Sequence, residues 1–338
     1  MLLSQKVTCL KLSFLGRKYT CHIIGDLMET FFSNKAKEIF GNSYVVTSIE
    51  RLLGGAQKHT WLARCSNRFS FVIYQWGNNT SYFNTGNDIF QSSSAELFEL
   101  NNQYMLKNGV LTPKLYHINA TQNEQSYKYA FVEYIDGCNF DNLLVNEPER
   151  ATFALKSLNE SIINMHALHN SQPGQLGRLL PSDFDYTDYT LKNIFSDISY
   201  LKEYDSDYNL QYSKIKEIAF ELKTRLKQRQ KYTFIHFELG PNHVMVDQMN
   251  NAYVIDIEGA RFCDVEEENS LLEIRYGKNK FQTNDNVDPL RMQFYHIGHC
   301  IGFLKGAVEL SKTDYYDMDD VKGMINFYHN QIKQIVPA

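Results

Sequence analysis

The chain has 338 residues, 43% of them hydrophobic and 14% aromatic, which is too long for one small domain and too rich in core-forming side chains for wholesale disorder. Lys and Arg number 34 against 39 Asp and Glu, a formal charge of −5, the wrong sign for a protein that lives on nucleic-acid backbones. The charge is uneven, with 13 basic against 10 acidic residues in 1–137 and 21 against 29 in 138–338, as would suit an anionic ligand in the first half and a cationic one in the second.

The six cysteines (Cys9, Cys21, Cys65, Cys138, Cys263 and Cys300) form no C-x-x-C pair, which argues against a zinc ribbon or a dense disulfide framework and leaves reduced thiols in a cytoplasm as the expectation. Lys6 and Lys11 interrupt the apolar start of the chain, so a secretory signal is not expected. No apolar run approaches the roughly 20 residues of a spanning helix, and no membrane partner is expected.

Residues 1–27 alternate weakly, as in a hairpin (CLKLSFL, KYTCHII). Residues 28–40 read as a helix. SIERLL then runs into Gly54-Gly55, HTWLARC alternates apolar with polar, and FSFVIYQW follows the turn Ser66-Asn67-Arg68. This is a three-stranded meander whose first turn is glycine-rich. A polar stretch, GNNTSYFNTGND, leads to Ser93-Ser-Ala-Glu96, a capping-box spacing that opens the helix SAELFELNNQYMLK and closes at Asn108-Gly109. VLTPKLYHI and YKYAFVEYI add two strands. Asp136-Gly137-Cys138 breaks the last of them and divides an N-terminal extension (1–27) and a sheet lobe (28–137) from a mostly helical lobe (138–338).

In that second lobe Leu155, Leu158, Ile162 and Met165 recur at helical spacing, as do Ile215, Ile218, Leu222 and Leu226. Asp288-Pro289 opens a third helix and Val321 to Ile332 mark a fourth. Before the third lie two strand-like pieces, KYTFIHF and NAYVIDI, expected as a hairpin. Asp264-Val-Glu266-Glu267-Glu268 reads as a solvated face that could instead line a site for a cationic acceptor. The Asp- and Tyr-rich SDFDYTDYT and YDSDY read as loops adding to such a site. The pairs His166/His169 and His296/His299 are spaced i, i+3, but no third ligand accompanies them, so core or surface roles are expected. Cys300 beside His299 makes no catalytic dyad.

The most informative stretch is His236-Phe-Glu238-Leu-Gly-Pro-Asn242-His243-Val-Met-Val-Asp247, followed by Val254-Ile-Asp256-Ile-Glu258-Gly259. It resembles the catalytic and metal-binding loops of the aminoglycoside phosphotransferase and choline kinase family, H-G-D-L-x-P-x-N-V-L-V-D followed by I-D-W/F-E. The resemblance runs in order along the chain, through the glycine-rich LLGGAQKHT, the glutamate-bearing helix, FVEYIDG, and a helix ending Met165-His-Ala-Leu168-His169 where the family has L-x-x-L-H.

The resemblance implies a two-lobed, protein-kinase-like α+β fold, with a five-stranded antiparallel sheet lobe and a larger, mostly helical lobe. It also implies a phosphotransferase acting on a hydroxyl of a polar small molecule such as a cationic metabolite or amino sugar, with ATP or GTP and Mg²⁺ as cofactors and Mn²⁺ as the alternative ion. Phosphoryl transfer needs positioning and charge neutralisation. Glu238 falls on the catalytic aspartate, with His236 bracing the loop. Asp256 falls on the chief metal aspartate, and Glu258 is within reach of the same ion. Gly54, Gly55, Gln57 and Lys58 would cover the phosphates, and the backbone of Glu133, Tyr134 and Ile135 would hold the base.

Three departures stand out. Glutamate at 238 moves the carboxylate outward by about one C–C bond. His243 stands where the family has asparagine, with Asn242 one residue early, so either Asn242 rotates in, or a second metal position is lost, or manganese is accepted. Tyr74 takes the place of the third-strand lysine, leaving Lys58 or Arg64 as substitute cations and Glu96 and Glu99 without their usual partner. The competing reading is a degenerate kinase fold that binds a nucleotide or metabolite without transferring phosphate. The oligomeric state stays open.

Overall fold

The computed structural model describes residues 29–52, 58–77, 89–91, 94–121, 128–204, 211–281, 287–313, 315 and 317–335. Gly54, Gly55, Gln57, the hairpin expected in 1–27 and the GNNTSYFNTGND and YDSDY stretches lie wholly or largely outside these residues.

The smaller lobe begins with helix α1 over residues 29–40. Strands β1 (Val46–Leu52), β2 (His59–Cys65) and β3 (Ser70–Trp76) form the meander, helix α2 (Ala95–Lys107) follows, and β4 (Leu115–Asn119) and β5 (Lys128–Glu133) complete an antiparallel sheet of order β1-β2-β3-β5-β4. Period-two alternation sorts the two faces. Ala63, Phe71, Ile73 and Phe131 pack with Phe32 and Ala36 of α1, while Tyr74 and Trp76 turn to the other face and join the main core. Helix α2 starts one residue later than the spacing suggests: the Ser94 hydroxyl accepts from Leu97 N at 3.3 Å and donates to Glu96 at 2.7 Å.

The larger lobe opens with β6 (Gly137–Asn139), α3 (Phe140–Asn146) and α4 (Pro148–His166). Short strands β7 (His169–Asn170), β8 (Gly174–Gln175) and β9 (Arg178–Leu179) follow, then α5 (Tyr186–Tyr204) and α6 (Tyr212–Arg225). Next come β10 (Tyr232–Ile235), β11 (Val244–Asp247), β12 (Ala252–Val254) and β13 (Arg261–Cys263), and finally α7 (Val265–Tyr276), α8 (Pro289–Leu310) and α9 (Met318–Ile335). The two expected strand pieces do not pair with each other. β10 joins a sheet of order β7-β10-β13-β8-β9, whereas β12 pairs with β11 in a sheet of order β12-β11-β6. The hairpin is therefore β11–β12, and the segment between β10 and β11 is free to form a loop.

SDFDYTDYT lies partly in a helix, α5, rather than in a loop. Its Asp, Tyr and Thr residues are turn-like, yet Leu191, Ile194, Ile198 and Leu201 form a buried stripe at helical spacing. The acidic run is likewise no solvated face. Asp264 pairs with Arg291 and accepts from Tyr295 at 2.7 Å, and Glu266 pairs with Arg229 and accepts from Asp288 N at 2.8 Å. Glu267 accepts the Cys263 thiol at 2.9 Å. Each buried acid has a cation or donor, as burial of charge requires.

The lobes meet at β6, whose Gly137 lies opposite Asp247 of β11. A Cβ at 137 would sit far inside van der Waals contact of the Val246 carbonyl and within 2.9 Å of Asp247 Cα. Gly137→Ala must therefore push the connecting strand off the hairpin, and we expect it to cost about 1–3 kcal/mol, read as a lowered urea midpoint. An unchanged midpoint would mean that the two backbones do not approach this closely in solution.

Candidate active site

The loop after β10 is held from below by a single carboxylate. Glu268 Oε1 accepts from His236 N at 2.8 Å and Phe237 N at 3.1 Å, while Oε2 meets His166 Nε2 at 2.8 Å. His236 donates through Nε2 to Ile255 O at 2.8 Å, and its Nδ1 accepts from Glu238 N at 3.3 Å. Burial pulls its pKa down, so it is a neutral brace that joins the loop to the strand end before Asp256. Phe237 has φ +81°, in the region that favours glycine, which the resembled motif carries there. The Arg261 guanidinium lies over its ring at 3.5 Å.

Pro241–His243 form a short 3₁₀ turn. The His243 Nδ1–H donates to Glu238 O at 2.6 Å, which leaves Nε2, 3.4 Å from Asp256 Oδ2, free to take a proton or a cation. Asn242 does not turn toward this point. Its Oδ1 accepts from Arg275 at 2.5 Å and its carbonyl accepts from Asn139 at 2.9 Å. Asp256 itself has φ +61° and stands just before the 3₁₀ turn Ile257–Gly259. Glu238, His243 and Asp256 each offer one ligand atom, all within 4.8 Å of one another.

Lys58 closes the other side. It precedes β2 on the face shared with Thr60, which is opposite Tyr74 on β3. The residue is 6% exposed. Its Nζ lies 2.5 Å from Asp256 Oδ1, 2.7 Å from Glu258 Oε1 and 4.9 Å from the Tyr74 ring centroid. Arg64, the other substitute cation, pairs instead with the exposed Glu50 at 2.7 Å. Glu96 pairs with Lys128 at 2.7 Å and Glu99 accepts from Gln103 at 3.4 Å, so neither reaches Lys58.

Glu258 is 1% exposed. Besides Lys58, its Oε1 accepts the Trp76 indole N–H at 3.2 Å, while Oε2 has no hydrogen-bond partner among the described residues. Its backbone is fixed by Asn101, which donates to Ile257 O at 2.7 Å, and by Gln175, 3.4 Å from Glu258 O. Glu133, Tyr134 and Ile135 run from the end of β5 toward β6, with Glu133 N bonded to Lys114 O at 2.8 Å and Ile135 buried.

The electrostatics follow from this geometry. Burial would pull the Lys58 ammonium down, but Asp256 and Glu258 outweigh it and hold it above the usual lysine range. Burial pushes Asp256 up, yet Lys58 and His243 hold it well below the usual carboxylate range. Glu258 and Glu238 go the other way, as burial raises both against the pull of neighbouring cations. Sequence reasoning missed Trp76, Asn101, Gln175, Arg261 and Glu268. Only Trp76 carried a signal, its alternation with Tyr74 along β3.

Two carboxylates and an imidazole, each offering one ligand atom, form a donor set that fits a divalent ion. Among the described residues no helix is long and apolar enough to cross a membrane.

The sequence profile of the phosphotransferase enzyme family matches residues 96–268, just over half of the chain. Choline kinase LicA from Streptococcus pneumoniae superposes with a TM-score of 0.60 at 16% identity, over 91% of this chain and 99% of that one. The same enzyme in complex with AMP gives 0.59 at 15% identity, over 91% and 98%. A thermostable mutant of aminoglycoside phosphotransferase APH(4)-Ia, in ternary complex with ADP and hygromycin B, gives 0.60 at 13% identity, over 90% and 99%. At these identities the likeness speaks for the two-lobed fold alone. No curated protein matches the chain in sequence.

Proposed function

Because the chain belongs to the phosphotransferase enzyme family, we infer that it transfers the terminal phosphoryl group of ATP or GTP to a hydroxyl of a small polar molecule. The observation that carries this reading is the convergence of Glu238, His243 and Asp256 within 4.8 Å, with the Lys58 ammonium against Asp256. A triphosphate needs that pairing of a cation site with a fixed positive charge.

In this reading the acceptor hydroxyl hydrogen-bonds to Glu238, which takes its proton as the oxygen attacks the terminal phosphorus. The bond from that phosphorus to the bridging oxygen breaks, and the nucleoside diphosphate leaves. Lys58 supplies the positive charge usually carried on the third strand. It comes from the start of β2, and Tyr74 serves as the floor beneath it. Glu258 orients Lys58 and receives Trp76, so its role is to place the ammonium. Asp256 and His243 would hold the divalent ion, whose chemistry is to neutralise charge on the phosphates. The Nε2 of His243 favours a softer ion than Mg²⁺, so Mn²⁺ is the better fit. Gly54, Gly55 and Gln57 are proposed to cover the phosphates and Glu133–Ile135 to border the base.

The test is thermal stabilisation by the non-hydrolysable ATP analogue AMP-PNP with Mn²⁺ or Mg²⁺, in the native chain and in Asp256→Asn. We expect metal-dependent stabilisation, larger with Mn²⁺ and absent in the variant. Stabilisation that ignores both metal and Asp256 would sink the assignment. A second reading, nucleotide binding without transfer, draws on the glutamate at 238. Nucleotide binding without diphosphate release over a broad hydroxyl panel would favour it.

A further inference from the structure

Three residues beyond Glu258, Arg261 begins β13. Its guanidinium is sandwiched between two rings, 3.5 Å from the Phe237 centroid and 4.3 Å from that of Phe90, and the residue is only 4% exposed. Its Nε donates to Gly259 O at 3.0 Å, which fixes the plane of the group. Among the described residues the two terminal nitrogens have no hydrogen-bond partner and no carboxylate lies within 4 Å of the guanidinium, so this nearly buried group has no ion pair among them. Every other well-buried arginine or lysine described here has one: Arg291 with Asp264, and Lys58 with Asp256 and Glu258. A guanidinium held between two rings, with its terminal fork bonded to no described residue, is a group that an anionic ligand can complete.

The location is informative. Arg261 packs on Phe237, the residue directly before Glu238, and its charge is felt at Glu238. The nearby acid, Glu267, accepts the Cys263 thiol and a hydrogen bond from Tyr186, so its charge acts on Arg261 without a direct contact. Phe90, Tyr186 and Tyr189 enclose the same space, with ring centroids 5.4–6.0 Å apart. An aromatic enclosure of this kind would suit a cationic acceptor, but here a guanidinium of the protein already lies against the Phe90 ring. The acidic run that would have attracted a cation is buried and paired.

Building on the phosphotransferase reading, we propose that Arg261 recognises the acceptor, and that the acceptor is a hydroxyl compound bearing an anionic group, a carboxylate or a phosphate. The guanidinium fork takes two anion oxygens side by side through its free terminal nitrogens, while the hydroxyl of the same molecule reaches Glu238. An amino sugar or a quaternary amine would place a cation against Arg261 and is rejected.

The test is calorimetric binding to the full chain, with and without AMP-PNP and Mn²⁺. The probes are D-glycerate, L-lactate and sn-glycerol 3-phosphate, against glycerol, ethanolamine and choline. We expect at least one anionic compound to bind and the neutral and cationic ones not to, with the carboxylate and phosphate arms showing which anion is preferred. Arg261→Gln weakens anion binding by at least about tenfold and leaves AMP-PNP binding unchanged, whereas Arg261→Lys keeps part of it. A purely structural arginine would lower stability and nucleotide binding together and would show no anion selectivity. Preference for choline or ethanolamine, no binding by any anion, or equal anion affinity in Arg261→Gln and the native chain overturns the proposal. Nucleotide binding is recorded separately, so its loss would count against the phosphotransferase reading and not against anion recognition.

Discussion

Replacing Lys58 by methionine is expected to cost about 3–5 kcal/mol of stability, the usual result of removing one member of a buried ion pair, and to abolish turnover. Glu258 is the reason for the first effect. It is almost fully buried, one of its oxygens already lacks a partner, and the other would keep only the Trp76 indole. Asp256 contributes less, because its side chain is 41% exposed and water can replace the ammonium. Turnover falls for a separate reason, as no other described cation stands beside Asp256 on this face of the sheet. The double variant Lys58→Met, Glu258→Met separates the two effects. It should recover most of the stability in urea denaturation, since an apolar pair can replace a buried ionic one, while turnover stays absent. A single variant of native stability would show that the Lys58 pairing does not form.

Glu238→Gln is expected to change activity and stability in opposite directions. Loss of the proton acceptor lowers kcat by about 10²–10⁴-fold, while the melting temperature at neutral pH rises. Burial holds the folded-state carboxyl of Glu238 above its unfolded value. Between those two values the folded chain binds more protons than the unfolded one, so this group's contribution to stability falls as pH rises through the window. Glutamine removes that penalty. The stability advantage of the variant should therefore grow from about pH 4, near the pKa of a free glutamate, and level off once native Glu238 is ionised. A pH-independent difference in melting temperature, or a variant with native kcat, would remove Glu238 from the role assigned to it.

These two residues also illustrate what could be read from the sequence. Glu238 and Asp256 stood out because short motifs fix backbone shape and chemistry together, and the five strands were legible because alternation is local. Lys58 was only one of two candidates. Choosing between it and Arg64 needed the tertiary packing, since both have the same parity along β2: Lys58, just before the strand, meets Asp256 and Glu258, whereas Arg64, at the far end, pairs with Glu50. The pairing of β10 with β13, and not with β12, is a non-local choice that no local pattern reveals. Glu266, Glu267 and Glu268 misled for a related reason. Consecutive acids ordinarily face water, whereas here Glu266 and Glu268 find partners 22 to 102 positions away and Glu267 meets the Cys263 thiol four residues back. Arg261 was silent altogether, because an arginine after a strand end has no signature until the rings around it are known.

The grip of Glu268 on the reactive loop reaches well beyond the cleft. One oxygen accepts the successive backbone N–H groups of His236 and Phe237 and the other meets His166 at the end of α4, so α7 and α4 together set the height and tilt of Glu238. On its outer side α7 rests on α8, where His299 meets Glu267 O at 2.7 Å. A conservative swap in that helix–helix seam, remote from any substrate, would be transmitted as a small displacement of the proton acceptor. Screening such a library by turnover alone would then gather hits far from the reaction centre, a pattern easily mistaken for a second ligand site when it is only mechanical leverage through one side chain.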